Sequence, residues 1–150
     1  DIVVIDPEGS DEKVLFTCQS FEGVNAKRRL QDLDNRDWDA FRMTNWERVD
    51  RERLYEFIKI ALERGQNKDA YYDNLSAIGM RNANLKPVSK DDIGGGYICS
   101  TAVVSALYYA GVELDNMRSS SYIDLVSPKQ VFTSEGRFFR PAGTFDESID

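Results

Sequence analysis

The stretch of sequence that decides the fold is GGGYICSTAVVSALYYAG, which occupies residues 94–111. Small apolar side chains recur at helical spacing after its cysteine, so the stretch predicts a deeply buried helix from Cys99 to Ala110. Gly111 is the expected stop, because glycine readily adopts the left-handed conformation that ends many helices. The apolar face of this helix consists of Ala102, Val103, Ala106, Leu107 and Ala110.

Cys99 stands where a nucleophilic thiol would be placed, at the first turn of a helix that follows a run of glycines. A helix N-terminus has unpaired backbone N–H groups and a partial positive charge, and both favour a thiolate. The sequence contains no histidine, however, and histidine usually accepts the proton of a catalytic thiol. A cysteine in a helix rich in alanine and valine is also typical of an ordinary core position, so both interpretations stay open.

The composition predicts one globular domain over residues 1–150. With 41% hydrophobic residues among 150, the chain is long enough to bury a single core. Its formal net charge is −7, from 26 acidic and 19 basic residues, which argues against nucleic acid as a partner. No run approaches the roughly 18 apolar residues that a membrane span needs, so we expect a soluble protein without one.

The sequence predicts no metal site and no cofactor. Its two cysteines, Cys18 and Cys99, lack the paired spacing of zinc ligands. The glycines at residues 94–96 are not followed by the Lys-Ser or Lys-Thr pair of a phosphate-binding loop. Cys18 lies in a β-branched run and is expected to be a core residue.

Local patterns predict a hairpin and another helix near the N-terminus. The apolar runs Ile2–Ile5 and Val14–Cys18 flank a turn at residues 6–9, which is typical of a hairpin. From Asp50 to Arg64 apolar side chains recur at helical spacing, with Asp50 as the N-cap and Gly65 as the expected end.

Together the segments predict an α+β fold, in which N-terminal and C-terminal strands form a small antiparallel sheet on the buried Cys99 helix, with the second helix alongside. Further expected elements are strands at residues 39–43 and 137–140, a short turn of helix at 127–132, and irregular segments at 70–75 and 79–90. Residues 143–150 are expected to form a loosely held acidic tail.

Several short motifs follow one another in a specific order. They are Gln19-Ser20 with Gly23-Val24, Phe41-Arg42, the helix at residues 50–64, Gly65 with Tyr72-Asp73, Tyr97 with Cys99-Ser100, and Pro128 with Val131. In this order the chain resembles the circularly permuted papain-like hydrolases of the NlpC-type peptidase superfamily. The resemblance covers most of the chain and implies a permuted papain-like fold with cysteine peptidase or amidase chemistry.

The resemblance also implies the residues of a site. These are Cys99 as nucleophile, Gln19 as the polar residue that orients the base, and Tyr97, Ser100 and Tyr72 as substrate-binding residues. In the family a histidine lies just before the first strand position. Its counterpart is expected either ahead of Asp1 or to have been replaced, which would leave a scaffold without a proton shuttle. The sequence departs from the family pattern at Ile98, which separates the tyrosine from the cysteine, and at Thr101, which stands where an acidic residue is common.

Two classes of function stay open. The first is a thiol hydrolase that acts on an amide or ester bond of a peptide-like or acyl substrate. The second is a non-catalytic module that binds protein partners within a large assembly such as a virus particle, and fold class does not separate the two. General acid–base catalysis contributes roughly 10²–10⁴ in rate, so without a histidine we expect the 150-residue chain to leave unactivated amides intact.

Overall fold

A computed structural model describes residues 1–33, 39–74, 83–114, 122–124 and 139–144. Within these ranges the strands are β1 (Ile2–Ile5), β2 (Lys13–Gln19), β3 (Gly23–Arg29), β4 (Asp39–Met43), β5 (Ala70–Tyr72), β6 (Ala83–Leu85), β7 (Gly95–Tyr97), β8 (Tyr122–Asp124) and β9 (Phe139–Thr144). The helices are α1 (Arg51–Gln66) and α2 (Cys99–Tyr109), with short 3-10 turns at Leu30–Asp32, Trp46–Arg48 and Lys90–Asp92. The predicted α+β class is confirmed.

The N-terminal hairpin forms as expected and extends into a three-stranded antiparallel sheet in the order β1-β2-β3. β1 pairs with β2 so that Ile2 lies opposite Phe16. The Asp6 carboxylate holds the connecting turn, because it accepts hydrogen bonds from the Glu8 N–H at 2.9 Å and the Ser10 hydroxyl at 2.7 Å. β2 is therefore the central strand, and most of its side chains are buried.

The expected pairing of the C-terminal strand with this sheet is wrong. Among the described strands, β9 pairs antiparallel with β4, with Met43 opposite Phe139, while β2 already has β1 and β3 at its two edges. Phe139 is buried in a cluster against which Phe41 and Met43 also pack. The pairing of β4 with β9 therefore buries apolar side chains in a separate cluster, without adding a strand to the N-terminal sheet.

The segments expected to be irregular contain two short strands. β5 pairs in parallel with β7, which places Tyr72 opposite Tyr97, and β6 pairs antiparallel with β8. Glycine has a low preference for strands, so the glycine run that forms β7 carries no local strand signal. β5 was also not predicted, because it pairs with β7 and the sequence gives no sign of that partner strand.

The C-terminal expectations fall partly outside the described residues. The expected strand at residues 137–140 overlaps β9, which begins at Phe139. Gly143 and Thr144, expected in the acidic tail, belong to this strand. The expected helical turn at residues 127–132 and the rest of the tail at 145–150 lie outside the described residues.

Helix α1 begins where the sequence predicts and ends later. The Asp50 carboxylate caps it by accepting the Arg53 N–H at 3.2 Å. Gly65, the expected end, lies inside the helix, where an added Cβ would come within 3.3 Å of both the side chain and the carbonyl oxygen of Val24. Glycine at this position therefore allows α1 to approach β3 closely, and the chain turns at Lys68, which has a φ of 63°.

Helix α2 begins at Cys99 as predicted, ends at Tyr109, one residue before the predicted Ala110, and closes at Gly111. Its end is a pair of hydrogen bonds, from the Gly111 N–H to the Tyr108 carbonyl at 2.9 Å and from the Val112 N–H to the Leu107 carbonyl at 2.9 Å. Gly111 has a φ of 93°, a conformation that favours glycine. Arg53 of α1 fixes the two helices together, since its Nε donates to the Tyr109 carbonyl at 2.6 Å.

The core lies on both sides of α2. The larger cluster joins β2, α1 and one face of α2, with Phe57 at its centre. The Phe57 ring lies 6.4 Å from the rings of Phe16 and Tyr97 and 6.0 Å from that of Tyr109. A second cluster covers the other face of α2 and contains Val103, Val104, Leu107, Ile123 and Phe139.

Replacing the central ring tests this description of the core. Phe57 is completely buried, so Phe57→Ala should lower the free energy of unfolding by about 3–5 kcal/mol. Phe21→Ala is the matched control, because Phe21 is fully exposed in the turn between β2 and β3. This substitution should change the free energy of unfolding very little. Urea unfolding of the two variants measures the difference, and equal losses would contradict the assignment of Phe57 as the core centre.

Candidate active site

The candidate site lies at the start of α2, and this helix begins at Cys99 as predicted. Cys99 is the first residue of this helix, and its side chain is partly exposed. Strand β7 delivers the chain to this point, with Ile98 as the residue between strand and helix. The thiol is therefore next to the backbone N–H groups that begin a helix, where anions are favoured.

Thr101 fixes the start of the helix and explains one departure from the family pattern. The Ile98 N–H donates to the Thr101 hydroxyl oxygen at 3.0 Å. The same hydroxyl donates to the Ile98 carbonyl at 3.3 Å, and Thr101 is completely buried. An acidic side chain at the third helical position commonly makes the bond back to the N-cap N–H. Threonine makes that bond here without adding a negative charge near Cys99.

Cys18 lies beside the start of α2 and is the second thiol of the site. Its side chain is completely buried, as expected of a core residue. Its Sγ donates to the Tyr97 carbonyl, with a sulfur–oxygen distance of 3.6 Å. The pKa of Cys18 is raised from an ordinary 9.0 to about 12. Burial is the larger cause of this rise, and a negative charge on Cys99 is the smaller one. Cys18 is therefore a neutral thiol at physiological pH.

The amino end of β1 also lies near Cys99. The Asp1 carboxylate accepts a hydrogen bond from the Thr17 hydroxyl at 2.5 Å. Burial lowers the pKa of the Asp1 amino group, and a negative charge on Cys99 opposes this shift. The Asp1 amino group and Cys99 therefore interact electrostatically.

Gln19 is the last residue of β2 and pairs with Gly23. Successive side chains of a strand point to opposite faces, so Gln19 lies on the face opposite to that of Cys18. Since Cys18 contacts the Tyr97 carbonyl just before α2, Gln19 belongs to the other side of the sheet. The described residues thus bring Cys18, and not Gln19, to the start of α2.

The three residues predicted to bind substrate are placed differently from one another. The Tyr97 ring is buried against Phe57, and its hydroxyl accepts the Gly94 N–H at 2.9 Å, so its carbonyl is the group that lies at the site. Ser100 is buried at the second position of α2. Tyr72 is partly buried and packs against the main core cluster beside Tyr97.

Asp73 belongs to the Tyr72-Asp73 motif, but the sequence analysis gave it no role at the site. Its carboxylate is buried, and its N–H donates to the Tyr97 carbonyl at 2.8 Å. An added Cβ on Gly96 would lie 2.7 Å from Asp73 Oδ2, so only glycine fits at that position of β7. The signal was present in the sequence, because the glycine run before the cysteine needed a close neighbour to explain it.

Comparisons found no protein-family model, no curated protein and no solved structure that matches this chain. The likeness to permuted papain-like hydrolases therefore rests on the residues of this chain alone. No helix within the described residues is long and apolar enough to cross a membrane. The described ranges also hold no group of three or more His, Cys, Asp or Glu side chains arranged to bind a metal ion.

The buried Cys18 thiol should make folding stability depend on alkaline pH. Between pH 9.0 and about 12 the unfolded chain loses the Cys18 proton while the folded chain keeps it. Stability therefore falls as pH rises through this window, by up to about 1.4 kcal/mol for each pH unit. Urea unfolding at several pH values should show a shallower fall for Cys18→Ala than for the unchanged chain. Parallel curves would contradict the burial of this thiol.

The contact between Gly96 and Asp73 gives a second stability test. Gly96→Ala should cost about 1–3 kcal/mol, because the new methyl group overlaps the Asp73 side chain. Asp73→Gly removes the overlapping atoms, so the double variant should lose less stability than the sum of the two single losses. Additive losses in the same unfolding assay would mean that the two residues are not in contact.

Proposed function

We propose that this chain is a thiol hydrolase of the circularly permuted papain-like type, with Cys99 as its nucleophile and an amide or ester as its substrate. The observation that carries the proposal is the position of Cys99, which is partly exposed at the first residue of α2. Cys18 serves as an internal comparison, since it is buried and its pKa is raised. The two thiols thus differ in the access that a nucleophile requires.

The reaction begins with attack of the Cys99 sulfur on the substrate carbonyl carbon, which gives a tetrahedral oxyanion. The backbone N–H groups at the start of α2 suit this oxyanion, because they are donors at the positive end of a helix. Ile98 precedes the helix and has no side-chain acceptor, so it cannot occupy those donors as a serine or aspartate N-cap does. Collapse of the intermediate expels an amine or alcohol and leaves a thioester, which water then hydrolyses.

The proton transfers need a general base and acid. The amino end of β1 lies within electrostatic reach of Cys99, and the resemblance puts the family's histidine just ahead of the first strand. β1 runs antiparallel to β2 with Ile2 opposite Phe16. Residues added ahead of Asp1 in the same register would therefore run alongside Cys18, which lies next to the start of α2. This geometry supports a histidine at that point as the partner of Cys99.

The second candidate is a non-catalytic module that binds protein partners in an assembly. The absence of histidine from the 150 residues favours it. The two candidates differ in the reactivity that they require of Cys99. A hydrolase needs a thiol that is acylated faster than an ordinary cysteine, whereas a binding module makes no such demand.

Adding one residue ahead of Asp1 tests the proposed function. We expect the unextended chain to be acylated at Cys99 by an activated thioester and to leave peptide amides intact. One added histidine should raise amide hydrolysis by roughly 10²-fold or more, the usual scale of general acid–base catalysis. Mass spectrometry measures acylation, and release of the amine measures turnover.

The controls are a single added alanine and the Cys99→Ala variant of each chain. Both should lack the gain in amide hydrolysis, and Cys99→Ala should also lack acylation. If Cys99 reacts with the thioester no faster than a free cysteine does at the same pH, the hydrolase proposal fails and the binding module is favoured.

A further inference from the structure

The two thiols of the chain lie on the two elements that pack against each other. Helix α2, which begins with Cys99, packs on β2, which carries Cys18. The Cys18 sulfur is 3.6 Å from the carbonyl oxygen of Tyr97, only two residues before Cys99. Ala102 lies one turn after Cys99 and belongs to the same core cluster as Cys18. Both cysteines therefore lie at one junction between strand and helix.

The two thiols also differ in their access to solvent. Cys99 is partly exposed, whereas Cys18 is completely buried. A small oxidant can reach the first thiol from solvent, and only a group already inside the protein can meet the second. A negative charge on Cys99 is the smaller cause of the raised pKa of Cys18, so the two thiols interact electrostatically.

We propose that Cys99 is a site of oxidation by hydrogen peroxide, and that Cys18 resolves the oxidised residue into an intramolecular disulfide between β2 and the start of α2. The proposed hydrolase uses Cys99 alone and gives Cys18 no role. The disulfide gives the buried thiol a chemical function. The bond itself requires only the two thiols, and only its effect on acyl transfer rests on the proposed function.

The chemistry takes place in two steps. The Cys99 thiolate attacks one oxygen of hydrogen peroxide and the O–O bond breaks, which gives a Cys99 sulfenic acid and hydroxide that solvent protonates. The Cys18 sulfur then attacks the Cys99 sulfur, the S–O bond breaks, and the departing hydroxide takes the Cys18 proton as water. Two thiols are oxidised to one disulfide, and one peroxide is reduced to two waters. A thiol reductant returns both cysteines to thiols by thiol–disulfide exchange and is itself oxidised to a disulfide.

A Cys18–Cys99 disulfide would remove the nucleophile from acyl transfer. The exposed thiol of Cys99 would be covalently held in the core, so neither the thiolate nor a thioester could form. Resolution by Cys18 would also protect Cys99 from further oxidation to sulfinic acid, which thiols do not reverse. The disulfide would thus inactivate Cys99 reversibly and keep it recoverable by reduction.

The test uses the full 150-residue chain, reduced and then treated with hydrogen peroxide at neutral pH. After denaturation and alkylation, we expect the native protein to lose both of its alkylatable thiols and the mass of two hydrogens. Proteolysis should then give a peptide pair linked through Cys18 and Cys99. The chain should stay monomeric on a non-reducing gel, and dithiothreitol should restore both thiols.

Two variants assign the roles of the cysteines. Cys18→Ala should accumulate Cys99 sulfenic acid, trapped by dimedone, and then sulfinic acid, whereas Cys99→Ala should leave Cys18 unoxidised. The unchanged chain oxidised in urea is a control that does not depend on either variant folding, and it should form less of the linked pair than the native chain does. Oxidised Cys99 beside a still alkylatable Cys18 in the native protein would overturn the proposal. Thioester acylation of the reduced chain tests the proposed function separately.

Discussion

The carbonyl group of Tyr97 is the point on which the arrangement of the site depends. It accepts the N–H of Asp73 at 2.8 Å and the thiol of Cys18 at 3.6 Å. The ring of the same residue packs against Phe57 at the centre of the main core. One residue therefore links β5, β2 and α1, and the chain enters α2 only two residues later. Because the entry is fixed on several sides, the first turn of α2 has a defined position relative to the sheet.

The two cysteines show how the fold gives one residue type two different environments. Cys99 is partly exposed at a helix start, where the dipole of the helix favours negative charge. Cys18 is enclosed by apolar side chains, and enclosure favours its neutral form. Both lie where β2 and α2 pack together. The contrast arises mainly from packing, because burial is the larger cause of the raised pKa of Cys18.

The parts of the fold that the sequence could predict are those governed by local chemistry. The Asp50 cap and the Gly111 stop depend on residues within one turn of the chain, and both are present as expected. The pairing of β9 with β4 joins residues almost a hundred positions apart, so no local pattern specifies it. Gly65 was misread for the same reason, because its role depends on Val24 in another element.

At the site, the position of Cys99 in α2 followed from helical spacing. The approach of Cys18 and Asp73 did not, because a core pattern shows that a residue is buried but not which residues it faces.

The coverage of α2 on both faces has a consequence for the order in which the protein acquires its structure during synthesis. Residues 1–66 supply the sheet and α1, yet Phe16 and Phe57 are sealed by Tyr97 and Tyr109 from much later in the chain. The cluster on the second face of α2 is completed later still, because it includes Phe139. On the ribosome, the first half of this protein therefore emerges with its aromatic side chains uncovered, and such surfaces are those that molecular chaperones bind. Burial of the central helix on both faces thus leaves the nascent chain dependent on residues from its last third, Tyr109 and Phe139 among them.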